Sequence, residues 1–273
     1  MAFASACALP QFGRSGSGGS TDSTTALPSV TIAPAAADGL MESFAALAQS
    51  VKADVGLAIG PTGAAVGAQV FGHWTSGPAW STSKVPVVMA AMRDQHTATP
   101  TTTMSEAITA SDNAAAEQIW ANLGEPEVAA QKVDAILREA GDQTVVQARR
   151  TRPEYSAFGQ TIWPLADQER FLAMAACDSR NASVLDLMAH IEVSQHWGLG
   201  TIQGTSFKGG WGPSPAGKYL VRQFGIIRTP AGALTVAVAA EPATGSFDDG
   251  VIALNAIANW IAANLRQWPA GHC

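Results

Sequence analysis

Charged side chains are scarce in this sequence. Asp, Glu, Lys and Arg make up 14% of its 273 residues, the formal net charge is −6, and no run of Lys or Arg occurs. A chain without a basic patch lacks the charge that holds phosphate backbones or anionic lipid surfaces, so neither nucleic acid nor an anionic membrane is expected as the main partner. Long apolar runs are missing as well, none approaching the roughly 18 residues that a spanning helix needs. Two signatures of hydrolytic sites are absent: the G-x-S-x-G elbow and the zinc-binding H-E-x-x-H pair. His190 and His196 flank Glu192 without a metal-ligand spacing and read as surface or core histidines, so neither a metal nor a cofactor is expected.

What is there is apolar material. At 47% hydrophobic residues the chain can build one large domain with a substantial core, and a small molecule or a peptide is the expected ligand. The first 33 residues stand apart. Ala4-Ser5-Ala6-Cys7 resembles the end of a bacterial lipoprotein signal, in which small residues precede a lipidated cysteine, although the charged and long apolar parts of such a signal are missing. Gly13 to Ser29 is mostly Gly, Ser and Thr, the composition of a flexible tether, and folding is expected from about Pro34. With Cys7 lipidated, Cys177 and Cys273 remain as a pair; a disulfide and two free thiols both stay open.

Leu40, Phe44, Leu47 and Val51 recur at helical spacing after Asp38, which predicts a helix over about residues 39 to 52. Val55 to Ile59 and Ala65 to Phe71, separated by Gly60-Pro61-Thr62-Gly63, predict a β-hairpin. An apolar run from Val85 to Met92 predicts a buried helix starting at or near Ser81, and the pattern from Met104 to about Met188 is largely helical. Tyr219 to Arg228 and Ala233 to Ala239, around Thr229-Pro230-Ala231-Gly232, predict a second hairpin, and Val251, Leu254, Ile257, Ile261 and Leu265 form the stripe of a last helix. The expected architecture is α+β: strands from both ends share one antiparallel sheet, terminal helices cover it, and a helical lobe of about residues 81 to 200 is inserted beside a cleft.

Ser81-Thr82-Ser83-Lys84 is S-x-x-K at a helix start, which sets a hydroxyl and an ammonium group one turn apart on one face. A serine hydroxyl becomes a nucleophile when a base removes its proton, and a desolvated lysine has its pKa lowered toward that task. The helix N-terminus adds N–H donors for a developing anion. Alone the motif is weak, with about one chance match expected in a chain of this length. Ser111-Asp112-Asn113 before a helical segment and Lys208-Gly209-Gly210 before the final hairpin follow it in order, which makes accident far less plausible.

In these motifs and their flanks, over about residues 38 to 267, the sequence resembles the class A β-lactamases and penicillin-binding proteins, whose signature is S-x-x-K, S-D-N, K-T-G. The resemblance implies a β-lactamase/transpeptidase-like fold in the cell envelope: an extracytoplasmic monomer, lipid-anchored through Cys7, acting on a β-lactam or a D-alanyl cell-wall peptide. It implies that Ser81 attacks a carbonyl, Lys84 takes or relays its proton, Ser111 passes a proton to the leaving nitrogen, and Asn113 positions a substrate amide and braces Lys84. Lys208 would attract a substrate carboxylate from the cleft-lining strand with Gly209 and Gly210, and the backbone N–H groups of Ser81 and Trp211 would form the oxyanion hole.

The sequence also departs from that pattern. Gly209 stands where the family has a hydroxyl for the substrate carboxylate, and only 30 positions separate Ser81 from Ser111, which predicts an open cleft. Arg150-Thr151-Arg152-Pro153-Glu154 is similar to the loop that carries the water-activating carboxylate, but sets Arg152 at that place, and arginine stays protonated. Glu154 reads as a structural or surface acid. Neither Tyr155 nor Tyr219 begins Y-x-N, which counts against the class C and esterase branch. An acyl-enzyme hydrolase is therefore expected, with an acylation-only or non-catalytic envelope lipoprotein that binds cell-wall peptide or a protein as the alternative.

Overall fold

The computed structural model describes residues 34–64 and 67–273, with side chains from residue 37 onward. The tether and Cys7 lie outside the described residues. In chain order the elements are α1 (Pro34–Ser50), β1 (Ala53–Pro61), β2 (Gln69–Gly72), β3 (Ser76–Pro78), α2 (Lys84–Asp94), α3 (Thr102–Thr109), α4 (Asn113–Asn122) and α5 (Pro126–Glu139). There follow β4 (Ile162–Pro164), α6 (Leu165–Ala175), α7 (Ala182–Leu187), β5 (Thr205–Pro213), β6 (Tyr219–Thr229), β7 (Gly232–Pro242) and α8 (Phe247–Asn264).

The main sheet is antiparallel, in the order β2-β1-β7-β6-β5, so its strands come from both ends of the chain. β1 pairs with β7 over its whole length, Leu57 opposite Val238. Helix α6 packs on one face of the sheet, and α1 and α8 on the other. The central strands are therefore buried at successive residues rather than alternate ones, from Val55 to Gly60 and from Leu234 to Ala240, which is why they read as nearly unbroken apolar runs. Phe44 of α1, Phe71 of β2 and Trp260 of α8 meet with ring centroids 5.1–5.7 Å apart and close one end of this layer.

The β6–β7 hairpin turns at Pro230-Ala231, with Thr229 opposite Gly232 and the Thr229 hydroxyl donating to the Gly232 carbonyl. The last residues run beside its tip: Gly271 exchanges two backbone hydrogen bonds with Ala233, and Cys273 forms a disulfide with Cys177, just past α6. That settles the open cysteine question in favour of pairing.

Several predicted boundaries move. α1 spans residues 34 to 50 rather than 39 to 52, and β2 is only Gln69–Gly72. Ser81 lies in a 3-10 turn, Trp80–Ser83, and the α-helix proper begins at Lys84. The stretch between α5 and β4 is mostly non-helical, because its backbone groups bond to side chains and to distant segments: Asp142 takes the Thr144 N–H, Asp134 the Val146 N–H, and the Thr161 hydroxyl the Gln147 N–H. Within it β4 pairs with β3 in a two-stranded sheet that apolar periodicity cannot reveal in three-residue strands.

Candidate active site

The Ser81 turn is tied down from several directions. Ala79 N–H donates to Thr161 O at 2.7 Å, and the Ser83 hydroxyl donates to Trp80 O at 2.6 Å. Trp80 holds φ +50°, a left-handed conformation costly for a bulky residue, which the surrounding contacts over-determine. Ser111 repeats the feature with φ +58° in the loop between α3 and α4. The following Asp112 caps α4 by accepting from the Ala115 N–H at 2.7 Å.

Three segments converge on the Ser111 hydroxyl. Lys84, 1% exposed at the start of α2, donates through Nζ to the Ser111 carbonyl and to Asn113 Oδ1 at 2.8 Å, and lies 3.3 Å from Ser111 Oγ. Lys208, fully buried on β5, donates to the same Oγ at 2.8 Å and to Gly209 O at 3.0 Å. Burial pushes the Lys84 ammonium down to about 8, with Asp112 and Glu117 pulling the other way. Burial, and then the Lys84 charge, push Lys208 well below the usual lysine range.

β5 is the edge strand of the main sheet, and this strand packs on the Ser81 turn. A Cβ at Gly210 would stand 2.8 Å from Ser81 N and 2.9 Å from Thr82 N, so only glycine lets strand and turn come this close. The next residue, Trp211, lines a cleft of about 800 Å3 together with Ser81, Ser111 and Asn113. Of the sequence-predicted residues, Ser81, Ser111, Asn113 and Trp211 face this cleft. Lys84, Lys208, Gly209 and Gly210 are buried behind it.

Arg152 is turned aside. Its guanidinium donates to Pro213 O, pairs with Glu154 at 3.4 Å and stacks 4.3 Å over the Tyr155 ring. The carboxylate of Glu154, about half exposed, is part of the cleft wall, as is Glu117, which pairs with Arg150 at 2.9 Å.

Sequence reasoning missed the support behind the Ser81 turn. The buried Arg222 of β6 donates to Gly77 O, Pro78 O and Trp163 O at 2.9–3.1 Å and to Gln168 Oε1 at 2.7 Å. Gln168 Nε2 in turn donates to Thr82 Oγ1 at 2.8 Å, one residue past Ser81. These groups anchor β3, β4 and α6 to the main sheet. An isolated Arg in an apolar strand pattern was the available signal, since a buried guanidinium needs acceptors around it.

No family model matches the chain, and no curated protein matches it in sequence. Solved structures do match. A class A β-lactamase from Bacteroides cellulosilyticus superposes with a TM-score of 0.69 at 14% identity, covering 84% of this chain and 98% of that one. The TLA-3 extended-spectrum β-lactamase gives 0.66 at 15%, with coverage of 84% and 98%. The fold is that of the class A β-lactamases. An ancestral class A β-lactamase agrees, with a TM-score of 0.63 at 18% identity over 82% of this chain and 99% of that one. At these identities what the chain shares with them is the fold, and the expected α+β, β-lactamase-like architecture is present. Within this β-lactamase-like frame the S-x-x-K, S-D-N and K-G-G segments, remote in sequence, meet around one hydroxyl.

Proposed function

We propose that this protein is a serine acyl-transfer enzyme that forms an acyl-enzyme through Ser81. The observation that carries the reading is the pair of buried lysines on the Ser111 hydroxyl, one of them, Lys84, brought to about 8 by burial. At pH 7 such a group is neutral in about a tenth of molecules, enough to act as a base. Ser81 Oγ attacks the carbonyl carbon of an amide of the kind a β-lactam or a D-alanyl peptide presents, and its proton passes to Lys84. The tetrahedral oxyanion lies against the backbone N–H groups of Ser81 and Trp211. As the C–N bond breaks, Ser111 passes its proton to the leaving nitrogen and regains one from Lys84, while Lys208 holds the hydroxyl in place. Asn113 orients Lys84 and the substrate amide.

Arg152 favours a second reading for turnover. With Arg152 at the sequence position of the water-activating carboxylate and its guanidinium turned to Pro213, Glu154 and Tyr155, that position supplies no base. Acylation then outruns deacylation, and the protein acts as a penicillin-binding lipoprotein of the envelope, or binds cell-wall peptide without turnover. The Cys177–Cys273 disulfide supports an oxidising, extracytoplasmic compartment, and lipid on Cys7 would hold the domain at the membrane. Among the described residues no helix is long and apolar enough to cross a membrane.

Intact mass after incubation with a fluorescent penicillin, beside Ser81→Ala, tests the proposal. A long-lived adduct in the wild type alone supports acylation without turnover, and a transient adduct with loss of the lactam supports hydrolysis. Equal labelling of Ser81→Ala, or no labelling of either, refutes an acyl-enzyme formed from a β-lactam.

A further inference from the structure

We infer that the cleft takes an acyl donor carrying a flat apolar ring and no free carboxylate. This rests on the acyl-transfer reading and names its substrate class. Aromatic residues are 7% of the chain but six of the twenty residues lining the cleft: Trp80, Tyr155, Trp197, Trp211, Tyr219 and Phe247. Both tyrosines of the protein are among them. Phe247 is the hub of one wall, with ring centroids 5.5 Å from Trp211, 5.9 Å from Trp197 and 6.3 Å from Tyr219. Trp80 and Tyr155, 5.1 Å apart and edge to face, form a second aromatic pair. Such surfaces gain most from a flat, apolar or aromatic group laid against them.

Among the described residues the same walls offer a carboxylate no unpaired cation. At position 209 there is no hydroxyl, and the Trp197 ring lies 3.2 Å from where a Cβ would stand, so the indole fills the space a side chain there would need. Lys84 and Lys208 are buried, Lys84 bonded to Ser111 and Asn113 and Lys208 to Ser111 and Gly209. The one arginine of the lining, Arg150, is paired with Glu117. Of the three carboxylates in the lining, Glu117 pairs with Arg150 and Glu154 with Arg152, while Glu192 makes no ion pair among the described residues. An anionic ligand would thus meet the unpaired Glu192 with the nearby arginines already paired and both lysines buried, whereas a neutral or cationic one is not penalised. The reaction is the one already written: Ser81 Oγ bonds the carbonyl carbon, its proton goes to Lys84, the C–N bond breaks, and the nitrogen takes the Ser111 proton, which Lys84 replaces.

Benzylpenicillin and its methyl ester share the lactam and the phenyl ring and differ only in the free carboxylate. The ester is expected to form the Ser81 adduct about tenfold faster than the acid by intact mass, and Glu192→Gln to narrow that gap. An acid that reacts as fast as the ester overturns the proposal. Phe247→Ala, its fold checked by circular dichroism, should slow the ester about tenfold more than it slows the methyl ester of the acetamido analogue, which has no phenyl ring. Equal slowing of both overturns the aromatic part. Phenylmethanesulfonyl fluoride separates this proposal from its premise. Labelling of Ser81 by that reagent with no adduct from either penicillin defeats the substrate class and spares the nucleophile; no Ser81 adduct from any of the three defeats both.

Discussion

Lys208 donates to the Ser111 hydroxyl across 2.8 Å, joining positions 97 residues apart. Lys84 Nζ stands 3.3 Å from the same oxygen, so one small side chain is the meeting point of the helical segments and the edge strand. Removing it by Ser111→Ala leaves both ammonium groups short of an acceptor and would interrupt the proposed path from Lys84 to a leaving nitrogen. Acylation of Ser81, read by intact mass, is expected to slow about 100-fold with the far-UV circular dichroism unchanged. A variant that acylates at the wild-type rate would remove Ser111 from the mechanism.

Lys84 sets a pH dependence. Its folded-state value is lowered from 10.5 to about 8, and in the proposed acyl transfer the neutral amine is the form that would accept the Ser81 proton. The acylation rate should therefore rise with pH and level off above a midpoint near 8. Lys84→Met should be slow and flat over the same range. A rate that falls between pH 6 and 9 contradicts the assignment.

Gln168 is predicted to act through position rather than contact with substrate. It receives from Arg222 at 2.7 Å and donates to Thr82 at 2.8 Å. Gln168→Leu strands the Thr82 side and one guanidinium donor, at a cost of about 1–3 kcal/mol in urea unfolding. The acylation rate constant at saturating probe should fall about tenfold while half-saturation stays near the wild-type concentration, and Gln168→Glu should recover part of the loss. A change confined to half-saturation argues for a binding role instead.

Glu169 makes stability fall as pH rises. Burial raises its carboxyl from 4.5 to about 7, although the Thr235 hydroxyl donates to it at 2.5 Å. Below pH 4.5 both folded and unfolded states hold the proton. Between 4.5 and 7 the unfolded chain releases it first, and the folded state loses ground by an amount on the order of 3 kcal/mol. Glu169→Gln should match the wild type near pH 4.5 and exceed its thermal midpoint by a margin that grows up to pH 7. A constant difference across that range would mean that Glu169 is ionised throughout.

The disulfide carries a separate stability prediction. Cys177 and Cys273 close a loop with a sequence separation of 96. Constraint of the unfolded chain over such a loop is worth about 4–5 kcal/mol. Cys273→Ser should lower the denaturation midpoint accordingly and make it insensitive to dithiothreitol, while the wild type drops to meet it on reduction.

Much of this was legible in the sequence because the information is local. Helix α8 shows in the stripe from Val251 to Leu265, the β6–β7 hairpin in two apolar runs around a Pro-Ala-Gly turn, and Ser81, Lys84, Ser111, Asn113 and Lys208 in three short motifs whose order is itself a signal. β3 and β4 were not legible, since strands of three residues have no periodicity to read and gain their pairing only when α6 and Arg222 bring them together. The 3-10 turn at Ser81 is not separable from α-helix in the sequence, because both share the same apolar pattern.

The sequence by itself determined the fold class and which side chains are candidates for the site, for these follow from residue type and near-neighbour spacing. Only the tertiary structure decided what those side chains do to one another. Burial brings the pKa of Lys84 down, the close approach of Gly210 sets an edge strand against the Ser81 turn, and aromatic residues from position 80 to position 247 become one cleft lining. Desolvation and contact are properties of packing between segments far apart in the chain, and no spacing along it encodes them.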